Sequence, residues 1–509
     1  MIPRRRFLVG TLASAAFAAP AGFVRGAPVS FGADPFTLGV ASGCPREDRV
    51  VLWTRLAPQP LEGGGMQDAS IEVEWQVAED EAFAHVVSRG VVRTTAELAH
   101  SVHAEAIGLL PDRVYWYRFR AGPALSPIGR TRTAPAGAVR TFRFAFASCQ
   151  QYEQGYFSAY RDMAARDLDL VVHLGDYIYE KSWGSRHVRQ HGVGIPTTLE
   201  EFRNRYALYK SDRDLQAAHA AFPWLSIWDD HEVMDDYAND RSYTVRDAAR
   251  FLKIRAAAYQ AYYEHMPLPP SARPRGADAT IYEHYRFGEM LDVLLLDDRQ
   301  YRSPSACVGG GRPTWVKDCA DRTDEARTML GRAQEQWLDA RLRDCRGRWT
   351  IVAQQTLMAQ DKREGDDGAR FWMDGWDGYP NARRRLLDSL VAQRRRNPIV
   401  IGGDRHAFFT ADLKQDFTRP NGPTIATEFV GTSITSDGPS EAGVRKALAE
   451  NPHLLYARGD KRGYATVELD ARHCTVGFEV LDDVKDAGSA VRRLTSFVVE
   501  DGVPGAKAA

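Results

Sequence analysis

The sequence predicts an α/β protein with a layered αββα core behind an N-terminal β-sandwich of the immunoglobulin or fibronectin kind. Two changes of pattern carry this. From residue 141 onward short apolar strands alternate with helical stretches: RFAFASC, LVVHLGD, WLSIWDD, LDVLLLDD, WTIVAQQT, NPIVIGGD and IATEFVGTS are the strands. Strands apolar on both faces and separated by helices belong in sheets that are covered on both sides. Before residue 138 the strands instead alternate in polarity between Gly- or Pro-containing turns, as in an antiparallel sandwich.

The sandwich is built from VVLWTRL (50–56), IEVEWQV (71–77) and HSVHAEAIG (100–108). The segment LLPDRVYWYRFRAG at 109–122 sets Tyr115 and Tyr117 in an alternating strand after a Leu-Pro turn, the pattern of a tyrosine corner. PAGAVR at 135–140 is the linker. In the α/β part the clearest helices are GYFSAYRDMAAR, LEEFRNRYALYKS, RDAARFLKIRAAAYQAYYEHM and TDEARTMLGRAQEQWLDARLRDC. GYATVELD, CTVGFEVL and LTSFVVED then return to alternating strands. The predicted divisions are a signal at 1–27, the sandwich at 30–138, the α/β domain at 139–495 and a tail at 496–509.

Residues 1–27 stand apart. Arg4, Arg5 and Arg6 precede Phe7 and Leu8, and an alanine-rich run follows to Ala19. This is a basic region, a short apolar region and small residues near a cleavage point after Ala18 or Gly26. The Arg-Arg-x-Phe-Leu order resembles a twin-arginine export signal. It implies the twin-arginine translocation machinery as a partner and a periplasmic or extracellular location. No later apolar stretch reaches the ~18 residues of a membrane span.

With 509 residues, 44% hydrophobic and 26% charged, the chain has an ordinary globular composition. A net charge of −1 gives no electrostatic case for nucleic acid or anionic membrane as the main partner. Six cysteines are too few for a disulfide scaffold. Cys307 and Cys319 flank a Gly/Pro-containing loop and can form one bridge in an oxidising compartment.

Four strings at strand ends carry the chemistry: SCQ (148–150), GDYIYE (175–180), WDDHE (228–232) and GDRH (403–406). A strand ending on Asp, Cys or His delivers that side chain to the sheet edge where ligands bind in α/β proteins. Asp176 and Tyr179, three residues apart, face one point across a turn. Cys149 beside a phenolate favours a strongly Lewis-acidic metal such as Fe³⁺ over Mg²⁺. Asp230 and His231 follow a buried strand, and a carboxylate there makes a hard, anionic position suited to Ca²⁺. Asp404 and His406 divide between a harder cation and iron. Asp235, Asp236 and Asn239 add oxygen ligands or form a solvated acidic loop. Arg299 clamps phosphate oxygens or pairs with Asp297 or Asp298. Trp376 and Tyr379 shape a substrate rim or cap a helix. His173 is a satisfied core histidine, and Arg383–Arg385 and Arg394–Arg396 are a solvated helix and its last turn or steer phosphate.

The tyrosine in GDYIYE resembles the purple acid phosphatases, where the phenolate binds ferric iron. The ordered set ASCQ-QY-x-x-GY, HLGDYIYE, RNRYALYKSDRDLQAAHAAFPW, WDDHEV, LDDRQYR and GGDRH is similar to the PhoD-like alkaline phosphatases of the metallophosphoesterase superfamily. The resemblance covers about 140–410. It implies an exported enzyme acting on phosphomonoesters and phosphodiesters by a metal-bound oxide or hydroxide. Iron would be held by Cys149, Asp176, Tyr179 and His406. One or two Ca²⁺ would share Asp176 and add Asp404 and an oxygen ligand from the loop that begins at Asp230. His231 would stabilise or protonate the leaving oxygen. This chain has Asp235-Asp236 where members often show Asn-Asn. Two alternatives remain at this level: a strict phosphodiesterase acting on teichoic-acid, nucleotide or phospholipid diesters, and a non-catalytic exported binding protein.

Overall fold

The computed structural model describes residues 30–509, so the export signal expected at 1–27 lies outside the described residues. Two sheets organise the α/β body. In the first, Phe142–Ala147, Leu170–Leu174 and Pro223–Ile227 run parallel at the centre. The second has Leu291–Leu295, Trp349–Ala353, Pro398–Gly402 and Thr424–Val430 as its parallel centre. All of these strands are buried along their length or nearly so, as their unbroken apolar runs require.

Aromatic pairs bridge the two sheets: Phe142 meets Phe287 at 4.7 Å between ring centroids and Phe408 meets Phe478 at 4.3 Å. Strand alternation then sorts the second sheet. Leu291, Val293 and Leu295 face the core shared with the first sheet, whereas Leu294, Val352 and Val400 face Leu338, Leu342, Leu386 and Leu387. Those leucines belong to helices Gly331–Asp344 and Pro380–Ala392. Helices Ser158–Ala164, Leu199–Lys210 and Ala248–His265 pack on the first sheet's core. Each large apolar side chain buried this way contributes about 1.5–3 kcal/mol.

The N-terminal part is β-rich. Ile71–Ala78, Val86–Thr94 and Val114–Ala121 form a sheet with two short strands. Tyr115 is buried, and its hydroxyl accepts a hydrogen bond from the Leu110 N–H at 2.9 Å, closing the expected corner.

Three boundaries differ from the sequence reading. The first is that at 138. Val40–Gly43 pairs in parallel with Pro223–Ile227, and Arg49–Arg55 and Ser101–Ile107 follow on, so one N-terminal sheet is an extension of the main sheet. The run Val50-Val51-Leu52-Trp53 explains this, because it is apolar at every position. Val50 and Leu52 face Val73 and Tyr117, while Val51 enters the main core and Trp53 packs on Ala207. Second, 496–509 is no tail: Val503–Ala508 pairs with Val491–Glu500, and Phe497 and Val499 are buried. Third, the helix expected from residue 323 begins only at Gly331, whose φ of +73° breaks the helical path. Among the described residues no helix is long and apolar enough to cross a membrane.

Candidate metal centre

The four strings converge at the C-terminal ends of the parallel strands. Cys149, Asp176, Asp404 and His406 each leave their strand in the left-handed region, with φ of 60°, 55°, 59° and 52°. For a residue with a Cβ this costs roughly 1–2 kcal/mol. Four such residues at strand ends contributed by both sheets mark a place where aim is kept at the expense of backbone comfort. Gly175 and Gly403 make the approach possible. A Cβ on Gly175 would overlap Asp229, and one on Gly403 would overlap Ser148.

Donor atoms of Cys149, Asp176 and His406 lie within 4.8 Å of one another. The Tyr179 hydroxyl joins them, donating to Asp176 Oδ2 at 2.9 Å and standing 3.1 Å from His406 Nε2. The Ser436 hydroxyl donates to the same phenol oxygen at 2.8 Å. His406 is fixed from behind: its Nδ1 meets the Asp437 carbonyl at 2.7 Å, which places the proton there and turns the Nε2 lone pair inward. Trp183 stacks on the ring with centroids 5.8 Å apart.

Beside this group, Asp229, Asp230 and Asp404 form a second cluster, and Asp176 with Asp230 and His231 a third. Asp230, Asp235 and Asp236 make a fourth. Thr356 donates to Asp404 Oδ2 at 2.6 Å, and the Asp236 N–H to Asp230 Oδ2 at 2.6 Å. His231 Nδ1 meets Glu180 Oε2 at 2.6 Å, and its ring lies 4.2 Å from that of Tyr179.

Burial pushes the carboxyls of Asp176, Asp229, Asp236 and Asp404 above the ordinary range, and neighbouring carboxylates push the same way. For His231 burial acts to discharge the ring, but the charges of Asp230, Glu180 and Asp176 outweigh it and raise the imidazole. Asp229 Oδ2 and Asp230 Oδ1 are buried without a hydrogen-bond donor. A crowd of buried carboxylates with orphaned oxygens, a thiol, a phenol and an inward imidazole fits multivalent cations, which would balance the charge and occupy those lone pairs.

Arg299 requires a correction. Its guanidinium pairs with neither Asp297 nor Asp298, although its backbone N–H donates to Asp297 Oδ1 at 3.0 Å. Its Nε donates to Asp229, its Nη1 to both Asp374 oxygens at 3.0 and 2.8 Å, and its Nη2 lies 3.6 Å from Asp230 and 3.9 Å from Asp404. The side chain is 1% exposed. Nε and Nη1 so committed balance the carboxylate cluster. Trp376 and Tyr379 are buried structural groups, bonded to Gln354 Oε1 at 3.0 Å and the Ser303 carbonyl at 2.6 Å. Arg383 is buried on Asp377 at 2.7 Å rather than solvated. His173 is in the core, with both ring nitrogens unpartnered.

Sequence reasoning missed the residues that hold the others in place. Glu232 accepts the N–H groups of Asp176, Tyr177 and Asp229, and so ties two of the four strings together. Glu180 orients His231. Asp374 anchors both Arg299 and Arg302. Glu180 and Glu232 each end a string already singled out, which was the available signal; Asp374 carried none.

Comparison with known proteins places the chain among the phosphoric ester hydrolases, as a phosphatase. The family model described as PhoD-like phosphatase matches residues 144–478, and that for the PhoD-like phosphatase N-terminal domain matches 22–135. The chain belongs to the PhoD-like phosphatase family. It is similar to alkaline phosphatase D of Bacillus subtilis (strain 168), 45% identical over 487 residues that cover 94% of this chain and 82% of that protein. A solved structure titled "Structure of PhoD" superposes with a TM-score of 0.91 at 43% identity, covering 94% of this chain and 93% of the other. The binding-protein alternative falls with this membership.

Proposed function

We propose that the protein is an exported, metal-dependent phosphatase of the alkaline phosphatase D type that hydrolyses phosphomonoesters and phosphodiesters where these strand ends of the two sheets meet. The observation that supports it best is the convergence of Cys149, Asp176 and His406 within 4.8 Å, with Tyr179 bonded between two of them. In this reading Cys149, Asp176, Tyr179 and His406 hold one Fe³⁺. Asp176, Asp230 and Asp404 hold one or two Ca²⁺, with Asp235 or Asp236 in reserve. When bound, such ions supply Lewis acidity toward phosphate oxygens and lower the pKa of water.

The chain's own groups do the rest. His231, held by Glu180, keeps a proton at Nε2 for the departing ester oxygen. Arg299 keeps Asp229, Asp230 and Asp404 together without spending a metal charge. The layering fits the metallophosphoesterase type, and the N-terminal β-rich domain fits an immunoglobulin- or fibronectin-like sandwich. We assign the divisions 1–27, 30–138 and 139–495 accordingly, with one sheet continuing across 138 and with 496–509 moved into the catalytic domain. Export through the twin-arginine machinery to a periplasmic or extracellular site rests on Arg4 to Leu8.

The test is hydrolysis of a phosphomonoester and a phosphodiester chromogen at alkaline pH, with and without a calcium chelator, alongside elemental analysis. Chelator-sensitive turnover with bound iron supports the reading. Full turnover by metal-free protein overturns it, and cleavage of the diester alone replaces it with a strict phosphodiesterase.

A further inference from the structure

The loop from Cys307 to Cys319 is tied at its base by a disulfide between those residues. Its later part, Trp315–Lys317, pairs with Gly368–Trp372. Between the two anchors lie Gly309, Gly310 and Gly311, then Arg312 and Pro313. Both flanks are therefore held, and three glycines give the backbone before Arg312 wide freedom.

Arg312 is 60% exposed and reaches back over the candidate centre, with Nη2 3.5 Å from Asp235 and Nε 3.3 Å from Asp236. Asp235 Oδ1 in turn lies 3.6 Å from His231 Nε2, so one carboxylate separates the guanidinium from the histidine. That carboxylate does not need Arg312. It already has Lys181 at 2.6 Å and the Tyr243 hydroxyl. The carboxylates are buried but the arginine side of both pairs is in solvent, which leaves the guanidinium room to exchange partners. Beside it opens a cavity of about 340 Å³, lined by Asp236, Arg241, Tyr243, Arg246, Pro304 and Val308 among others.

We propose that Arg312 is a substrate-binding, specificity-determining residue of this phosphatase. It exchanges Asp235 and Asp236 for the non-bridging oxygens of the phosphate ester, whose organic group enters the adjacent cavity. The disulfide keeps the loop within reach. This inference rests on the placement of the active site given above. Arginine's planar fork suits two phosphate oxygens at once. A phosphomonoester dianion offers it more charge than a diester monoanion, so the clamp favours monoesters.

The test uses the full, metal-loaded enzyme and the variants Arg312→Ala, Arg312→Lys and Cys307→Ser/Cys319→Ser. KM and kcat are measured on both chromogens, and binding of inorganic phosphate by calorimetry. Arg312→Ala is expected to raise KM for the monoester about ten- to a hundredfold and to weaken phosphate binding similarly. KM for the diester should rise less, with kcat and metal content nearly unchanged. Arg312→Lys recovers part of the loss, and the cysteine variant shows a smaller shift in the same direction. Unchanged KM and phosphate affinity in Arg312→Ala would overturn the proposal. So would a loss confined to metal content, which would make Arg312 a support for Asp235 and Asp236. If Asp176→Asn keeps normal turnover, the site placement itself fails, whatever Arg312 does.

Discussion

Glu232 accepts the backbone N–H of Asp176 through Oε2 at 3.1 Å, and through its other oxygen that of Tyr177 at 2.6 Å. Oε2 also takes the N–H of Asp229 at 2.9 Å. One buried carboxylate thus fixes the distance between two strand ends. Glu232→Gln keeps the shape but turns one acceptor oxygen into a donor, leaving a backbone N–H facing an amide. The expected result is a loss of about 1–3 kcal/mol in stability, read by denaturant titration, together with at least tenfold lower activity in the folded protein. A variant of unchanged stability and rate would mean that the two strings hold their spacing without it.

Asp176 belongs to two of the clusters and sits in strained backbone. Asp176→Asn should abolish turnover, lower the bound metal and leave the circular dichroism spectrum unchanged. Near-normal turnover would remove Asp176 from the centre.

Tyr179 is bonded to both Asp176 and His406. If its phenolate binds iron, the iron-loaded enzyme carries a visible charge-transfer band. Tyr179→Phe should erase that band. Its persistence in the variant would put another ligand in Tyr179's place.

His231 depends on Glu180 for its orientation. His231→Ala is expected to lower kcat by about 10²–10⁴, and Glu180→Gln by less. The loss should shrink for esters with good leaving groups, which need no proton. Equal losses for good and poor leaving groups would argue against proton donation.

Lys210 is buried with no anion beside it; its ammonium stands 4.2 Å from the ring centre of Trp53. Burial lowers it from the usual lysine range to about 7. The unfolded chain holds this proton up to about pH 10.5, whereas the folded one has released it above about 7. Unfolded protein therefore binds more protons across that window, and stability rises with pH through it. Lys210→Met should raise Tm at pH 7 by several degrees, and the advantage should fade toward pH 10.5. An advantage that does not depend on pH would show the effect to be packing alone.

The parallel strands and the four strings were legible because apolar runs and strand-end Asp, Cys and His residues are local signals. So was the tyrosine corner, through Leu-Pro followed by Tyr115. The partners of Arg299 were not. The local candidates Asp297 and Asp298 lost to Asp229 and Asp374, which only the fold brings near. Nor was the sharing of one sheet across residue 138, because pairing between Val40–Gly43 and Pro223–Ile227 leaves no local trace. What could be read was the continuous apolar run at 50–53, whose second buried face needed a cover that an isolated sandwich does not supply.

That shared sheet has a consequence for how the enzyme is made. Residues near position 40 sit on a strand emerging some two hundred residues later, while Phe142–Ala147 waits for Gly463–Leu469 to cover its other side. The first edge waits for nearly half of the chain to leave the ribosome, and the second for almost all of it. Pairings so distant in sequence form slowly, and unpaired edges invite aggregation meanwhile. Assembly is thus completed late, which suits the proposal that the protein folds before it is exported.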